Sequence, residues 1–254
     1  MPLKKATINK IKELTELFFE DKIFSLDIDL EVVKKGYPWH SIFFTPEAAI
    51  AAIKERSLIT SIGQSFVPQL AKIVAEDKYE DVHLNYSLNC RLDRGAIRKI
   101  DIICRELRGE RGTRKRKPDH DKEIREIEKA KNGRTINSRI VLDLYVGDHK
   151  YGPLYYEIKS PKPNLDQTEA AKKKILQFMS LSPSYHGFYA LHYNPYITKD
   201  RYNWSFTKSI MDMKKQVPIG AEMWNHLGDK NTYDEIIKIL SKVSKEKWKE
   251  FNKK

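Results

Sequence analysis

Two apolar runs separated by six residues constrain this chain more than any other stretch. SRIVLDLYV (138–146) and PLYYEIKS (153–160) flank GDHKYG (147–152). Both runs are rich in β-branched and aromatic residues, and a connection of this length closes a strand pair. Each interior also carries ionisable residues: Asp143 in the first strand, Glu157 and Lys159 in the second. Side chains two apart on a strand share a face, so Glu157 and Lys159 point the same way, and the neighbouring strand can bring Asp143 alongside. Set between Tyr156, Ile158 and Pro161, such groups need partners to offset the loss of water.

The pattern acidic–x–Lys is weak alone. It occurs at five places: Glu20-Asp21-Lys22, Glu76-Asp77-Lys78, Asp148-His149-Lys150, Glu157-Ile158-Lys159 and Asp212-Met213-Lys214. The first, second and fifth lie in helical texture, where residues two apart diverge, and the third lies in the expected turn. Only Glu157 sits inside an apolar strand with an Asp on the strand before it. The competing reading is an edge strand whose Glu157–Lys159 face is solvated, with Asp143 a chance neighbour.

Two carboxylates and an ammonium converging on one point suit phosphodiester hydrolysis. That reaction needs Mg²⁺ held by oxygen ligands beside the phosphate, an oriented water, and cations to offset developing charge. Asp143 and Glu157 are oxygen donors of that kind, and the backbone carbonyl of Ile158 between Glu157 and Lys159 is a candidate further ligand. The net charge of +12 fits a polyanionic partner, either nucleic acid or an anionic membrane surface. The seven histidines and two cysteines, Cys90 and Cys104, have no zinc-like spacing, and no Walker loop, GxGxxG or HNH-type signal is present. Both cysteines fall in strand-like runs and read as reduced thiols. No apolar run is long enough to span a bilayer, and MPLKKATINKIKEL reads as an amphipathic helix without the apolar core of a signal peptide. A cytoplasmic location is expected.

The remaining texture is mixed. Residues 7–22 place Ile8, Ile11, Leu14, Leu17 and Phe18 on one helical face, and Thr45-Pro46 opens a helix expected to end near Arg56. Ser61-x-x-Gln64 has capping-box form, predicting a helix through about Glu76. HLNYSLNCRL (83–92) and RKIDIICREL (98–107) read as two strands joined at Asp93-Arg94-Gly95. Residues 108–134 read as an exposed basic arm followed by a charged helix with no apolar face worth burying. Asp166-x-x-Glu169 reads as the cap of a helix running to about Ser180; SYHGFYALHY (184–193) is a further strand, and TYDEIIKILSKVSKEKWKEF (232–251) a final helix. The expectation is one α/β domain over 1–254: a helical part (about 1–80), then a catalytic core (about 81–254) whose central mixed β-sheet is flanked by helices.

Asp143 followed by Glu157-x-Lys159 on the next strand resembles the PD-(D/E)XK nuclease superfamily. YEIKSPKPNLDQT (156–168), YALHYNPY (189–196), RYNWSF (201–206) and IGAEMWNHLGDKNTYDEIIKIL (219–240) resemble, more narrowly, the TdeIII-type type II restriction endonucleases. Leu142 stands where the superfamily usually has Pro. The resemblance implies a restriction-endonuclease-like fold, with Asp143 and Glu157 as Mg²⁺ ligands and Lys159 assisting the water. It implies double-strand DNA breaks with 5′-phosphates at a short palindromic site, GGNCC for the narrower family. A homodimer, a cognate DNA methyltransferase and a prokaryotic cytoplasm follow from the same likeness.

With DNA as partner, the basic run Arg105, Arg108, Arg111, Arg114, Lys115, Arg116 and Lys117 is expected on phosphates or guanines, against a bland reading as solvated loop. Lys162, Asn164 and Gln167 follow the catalytic strand, and Asn194 and Tyr196 lie in an aromatic–polar cluster with Tyr193, Tyr202 and Trp204; all are candidate DNA contacts, Trp204 reading better as core. Glu76 is a candidate extra metal carboxylate, with a surface Glu at a helix end as the alternative. Two rival functions remain open on sequence: a repair or structure-specific nuclease of the same superfamily, and a non-catalytic DNA-binding module with a degenerate core.

Overall fold

The computed structural model describes residues 2–253. Helix α1 (Lys5–Phe18) continues through a π-helical stretch (Phe19–Phe24) and is followed by α2 (Leu30–Gly36), α3 (Pro38–Phe43) and α4 (Pro46–Ser61). A second π-helical stretch (Ile62–Phe66) joins α4 to α5 (Val67–Ala75). Then come β1 (Val82–Asp93), α6 (Arg94–Arg108), α7 (His120–Ala130), β2 (Thr135–Val146), β3 (Leu154–Lys159), α8 (Leu165–Met179), β4 (His186–Leu191), α9 (Ser205–Ile210), α10 (Ala221–Leu227) and α11 (Thr232–Phe251).

The strands form one mixed sheet in the order β1-β2-β3-β4. The first two pairings are antiparallel; β3 and β4 run parallel, with α8 as their crossover. Alternation along β3 divides it between two cores. Leu154, Tyr156 and Ile158 pack with residues of α1, α5, α10 and α11, whereas Tyr155 packs with α6 and α8. The expected α/β class with a central mixed sheet and flanking helices holds, as do the strands around Asp143 and Glu157 and the final helix.

Four local readings are corrected. Residues 98–107 are not a strand: they lie in α6, and Asp93 is its N-cap, accepting from the N–H groups of Gly95 and Ala96. Buried Ala96, Ile100, Ile103, Cys104 and Leu107 recur every three or four residues, and this period overrides the strand preference of the isoleucines. Cys104 is accordingly a buried helical thiol, pushed up to about 12 by burial. Second, α4 runs past Arg56 to Ser61 and continues through the π-helical stretch, so Ser61 and Gln64 cap nothing. Third, α7 does bury a face, with Glu123 and Ile127 fully enclosed. Fourth, the N-cap of α8 is Asn164, whose side chain accepts from the Gln167 N–H at 2.8 Å; Asp166 lies in the first turn.

Gly95 provides a test of the α6 start. A Cβ there would lie 1.9 Å from the Ala130 carbonyl oxygen, a backbone atom. Helix propensity favours Ala over Gly by about 1 kcal/mol, but overpacking against fixed backbone costs about 1–3 kcal/mol. Gly95→Ala is expected to lower the urea unfolding midpoint. A second prediction concerns pH. Burial, aided at His120 by Lys172, pushes His120 and His192 down to about 4. Between the unfolded value of about 6.5 and about 4, the unfolded chain binds protons that the folded protein does not. Stability present above pH about 6.5 is therefore lost as pH falls through this window. His120→Gln with His192→Gln should flatten urea midpoints measured across it.

Candidate active site

The site forms where two strands part. β2 and β3 pair at only three positions, Leu144 with Tyr156, Tyr145 with Tyr155 and Val146 with Leu154. The β1–β2 ladder also skips a step here: Leu84 faces Leu144 and Tyr86 faces Leu142, while Asn85 between them has a φ of 50°. Ile140 and Leu142 consequently join the core under α6 and α8, and Leu144 and Val146 the other. Asp143 stands at the break. Its Oδ2 accepts the Ile158 N–H at 3.2 Å, so a side chain replaces the ladder bond that the diverging strands give up.

Three oxygens then meet on one ammonium. Lys159 Nζ lies 2.9 Å from Asp143 Oδ2, 2.8 Å from Glu157 Oε1 and 3.2 Å from the Ile158 carbonyl oxygen. Lys174 enters from α8, pairs with Glu157 Oε2 and lies 3.7 Å from Asp143 Oδ1. The Tyr155 hydroxyl also donates to Glu157. Glu157 is 3% exposed. Burial pushes its carboxyl up, but Lys159 and Lys174 outweigh that, so it is held below the usual carboxylate range. Burial pulls Lys159 down, but Glu157 and Asp143 outweigh it and hold the ammonium above the usual lysine range.

The donor set fits a hard divalent cation. Two carboxylates and a main-chain carbonyl are oxygen ligands of the kind Mg²⁺ takes, and the Lys159 ammonium already stands in for a cation among them. Among the described residues no group of three or more His, Cys, Asp or Glu could hold a metal. At this site the third oxygen comes from the backbone.

Sequence reasoning missed Lys174 and Tyr155. The signal for Lys174 was its spacing: three residues after Ala171 and four before Phe178, both buried, it shares the sheet-facing side of α8. Tyr155 shares the face of Glu157 by strand alternation.

Other candidates are placed elsewhere. Glu76 ends α5 on the opposite side of the sheet from α8 and pairs with Lys10 and Lys72. Three arginines of the basic run are engaged within the fold: Arg105 with Glu110, Arg108 with Asp166 and Glu169, and Arg116, only 11% exposed, with Glu106 and Glu126. Arg116 thereby ties the segment between α6 and α7 to both helices, which is a held loop rather than a loose arm. Arg111, Arg114, Lys115 and Lys117 are exposed. Lys162 lies over the rings of Tyr196 and Trp204, at 5.7 and 6.0 Å from their centres. Asn194 Oδ1 accepts the Tyr196 N–H at 2.9 Å, and Gln167 is exposed in the first turn of α8. The loop after β3 is strapped down by Tyr202 donating to the Pro161 carbonyl and Trp204 to the Pro163 carbonyl, each at 2.6 Å. Trp204 thus packs, as expected.

The role of Lys174 in holding Glu157 is testable by a double-substitution cycle. Lys174→Met leaves a buried carboxylate one cation short and should cost about 1–3 kcal/mol. Adding Glu157→Gln should return part of that loss, so that the two changes are non-additive in urea unfolding. Simple additivity would separate the two residues energetically.

Comparison with known proteins places the chain among type II restriction enzymes. The family described as "Type II restriction endonuclease, HinfI" matches residues 3–244. Among curated relatives, the type II restriction enzyme HgiCII of Herpetosiphon aurantiacus is 30% identical, covering all of this chain and 99% of its own length. The type II restriction enzyme HgiBI of the same organism is 28% identical over 100% of this chain and 99% of its own length. The type II restriction enzyme MjaII of Methanocaldococcus jannaschii is 25% identical over 98% of this chain and 74% of its own length. No solved structure matches the chain. A family match over residues 3–244, with a relative 30% identical over the full length, identifies this chain as a member of the HinfI family of type II restriction endonucleases.

Proposed function

We propose that this chain hydrolyses double-stranded DNA at a short palindromic site in a Mg²⁺-dependent reaction, leaving 5′-phosphate ends. The observation that carries this reading is the convergence of Asp143, Glu157 and the Ile158 carbonyl on a single cationic atom. These three groups would hold Mg²⁺, which when bound polarises the scissile phosphate and acidifies the attacking water.

The chain's own residues supply the rest. Facing two carboxylates, Lys159 is held charged, which suits it to orient a water and offset charge on the phosphate better than to remove a proton. Lys174 keeps Glu157 ionised and turned into the site. Tyr155 fixes the other edge of that carboxylate. Exposed Arg111, Arg114, Lys115 and Lys117, with Lys162, are the cations available to DNA phosphates; Asn164, Gln167, Asn194 and Tyr196 border the same strapped loop and are candidates for groove contacts.

The whole chain acts as one restriction-endonuclease-like domain in this reading, with residues 1–80 supporting the core of 81–254. A homodimer would present one active site to each strand of a two-fold symmetric site, and a cognate methyltransferase would protect the host's own copies. GGNCC remains the candidate site. No helix among the described residues is long and apolar enough to cross a membrane, which accords with a cytoplasmic enzyme in a prokaryotic cell.

Digestion of a sequenced genome with Mg²⁺, followed by sequencing of the ends, should give discrete ends at one short palindrome. Structure-dependent nicks, or binding without cutting across Mg²⁺ and Mn²⁺, would favour the rival readings. Lys159→Ala should slow cleavage by about 10²–10³-fold while leaving DNA binding in Ca²⁺ nearly unchanged. Asp143→Asn and Glu157→Gln should abolish detectable cutting.

A further inference from the structure

Helices α2, α3 and α4 pack mainly on one another and on the two π-helical stretches. Over residues 30–61 only Val33 and Ala49 are buried. Large apolar side chains instead face outward: Trp39 is 70% exposed, Phe43 74%, Ile42 66%, Phe44 51%, Val32 57% and Ile59 49%. Trp39, Ile42 and Phe43 recur at i, i+3 and i+4 and so share one side of α3, where the Trp39 and Phe43 rings stack 6.4 Å apart. A helical unit with two buried residues is not stabilised by its own core.

The exposed area is large. Given about 150–250 Å² for a whole aromatic side chain, Trp39, Phe43 and Phe44 alone present on the order of 400 Å² of apolar surface, and the aliphatic Val32, Ile42 and Ile59 add to it. The largest patch on a monomer is roughly 300–600 Å², whereas each partner in a stable complex contributes about 800 Å². The charge around it argues against DNA as the cover. The chain carries +12, yet this lobe has four basic residues, Lys34, Lys35, Lys54 and Arg56, against three acidic ones, Glu31, Glu47 and Glu55. It lacks the cationic excess that phosphate binding needs.

We infer that this face is the homodimer interface, covered by the same lobe of a second copy. An isologous contact requires one patch to suit itself, and an apolar, nearly neutral surface of this size does. The inference rests on the two-fold cleavage reading above for its choice of occupant, but its test does not use catalysis.

Sedimentation equilibrium without DNA should give twice the 29.8 kDa chain mass. Trp39→Glu with Phe43→Glu should give a single-chain mass with unchanged far-ultraviolet circular dichroism. A photoreactive phenylalanine analogue at Ile42 in the otherwise native chain should cross-link two copies through residues 30–61. A wild-type monomer at tens of micromolar with and without DNA would overturn the inference. So would a dimer that survives both substitutions, or cross-links to DNA or to another part of the second copy. Asp143→Asn should remain dimeric, so failure of the cleavage reading and failure of this interface give different results.

Discussion

Glu157 is a carboxylate buried inside a sheet, and the site is organised around that cost. An unpaired charge in such a place is worth several kcal/mol of destabilisation. Here it is offset by Lys159 on its own strand, Lys174 from α8 and the Tyr155 hydroxyl. The cluster of two carboxylates and two ammonium groups is close to neutral. It holds β3 beside α8 while letting β2 and β3 separate, because the Asp143 carboxylate takes the Ile158 N–H that the ladder releases. The opening between the strands and the bonds that stabilise them therefore depend on the same set of atoms.

Helix α8 carries a second charge of the same kind. Lys172, fully buried, pairs with buried Glu123 of α7 at 2.5 Å and donates to Gln216 Oε1 at 2.6 Å. Burial lowers its ammonium below the usual range although Glu123 pulls the other way. Two residues apart on a helix, Lys172 and Lys174 point to different sides. One fixes α8 to α7, and through it the basic segment; the other reaches the site. Arg116, gripped by Glu106 and Glu126, completes the attachment. The cations left exposed on that segment are thus carried by a positioned surface.

The strand pair that brings Asp143, Glu157 and Lys159 together was legible because strand alternation and an apolar frame isolate Glu157 from four competing acidic–x–Lys matches. Period alone also sufficed for α11. Reading failed where local preference and period disagreed: Ile100, Ile102 and Ile103 look like strand, yet buried positions every three or four residues make a helix. Lys174 was hidden among three consecutive lysines, Lys172 to Lys174, whose identity does not reveal that the first is buried and the last reaches Glu157. The apolar residues of α2 to α4 gave no warning either, since Trp39, Ile42 and Phe43 have the spacing of an ordinary buried helix face and only the fold leaves them outside. The basic run was visible as charge, but which of its arginines are held by Glu residues far along the chain depends on tertiary contacts.

The most direct measurement is the location of a bound divalent cation. Mn²⁺ titrated into isotope-labelled protein should broaden the amide resonances of Asp143, Glu157 and Ile158 first. The effect should vanish with Asp143→Asn combined with Glu157→Gln. Broadening that starts at Glu76, or that persists in the double variant, would contradict a cation site built from Asp143, Glu157 and the Ile158 carbonyl.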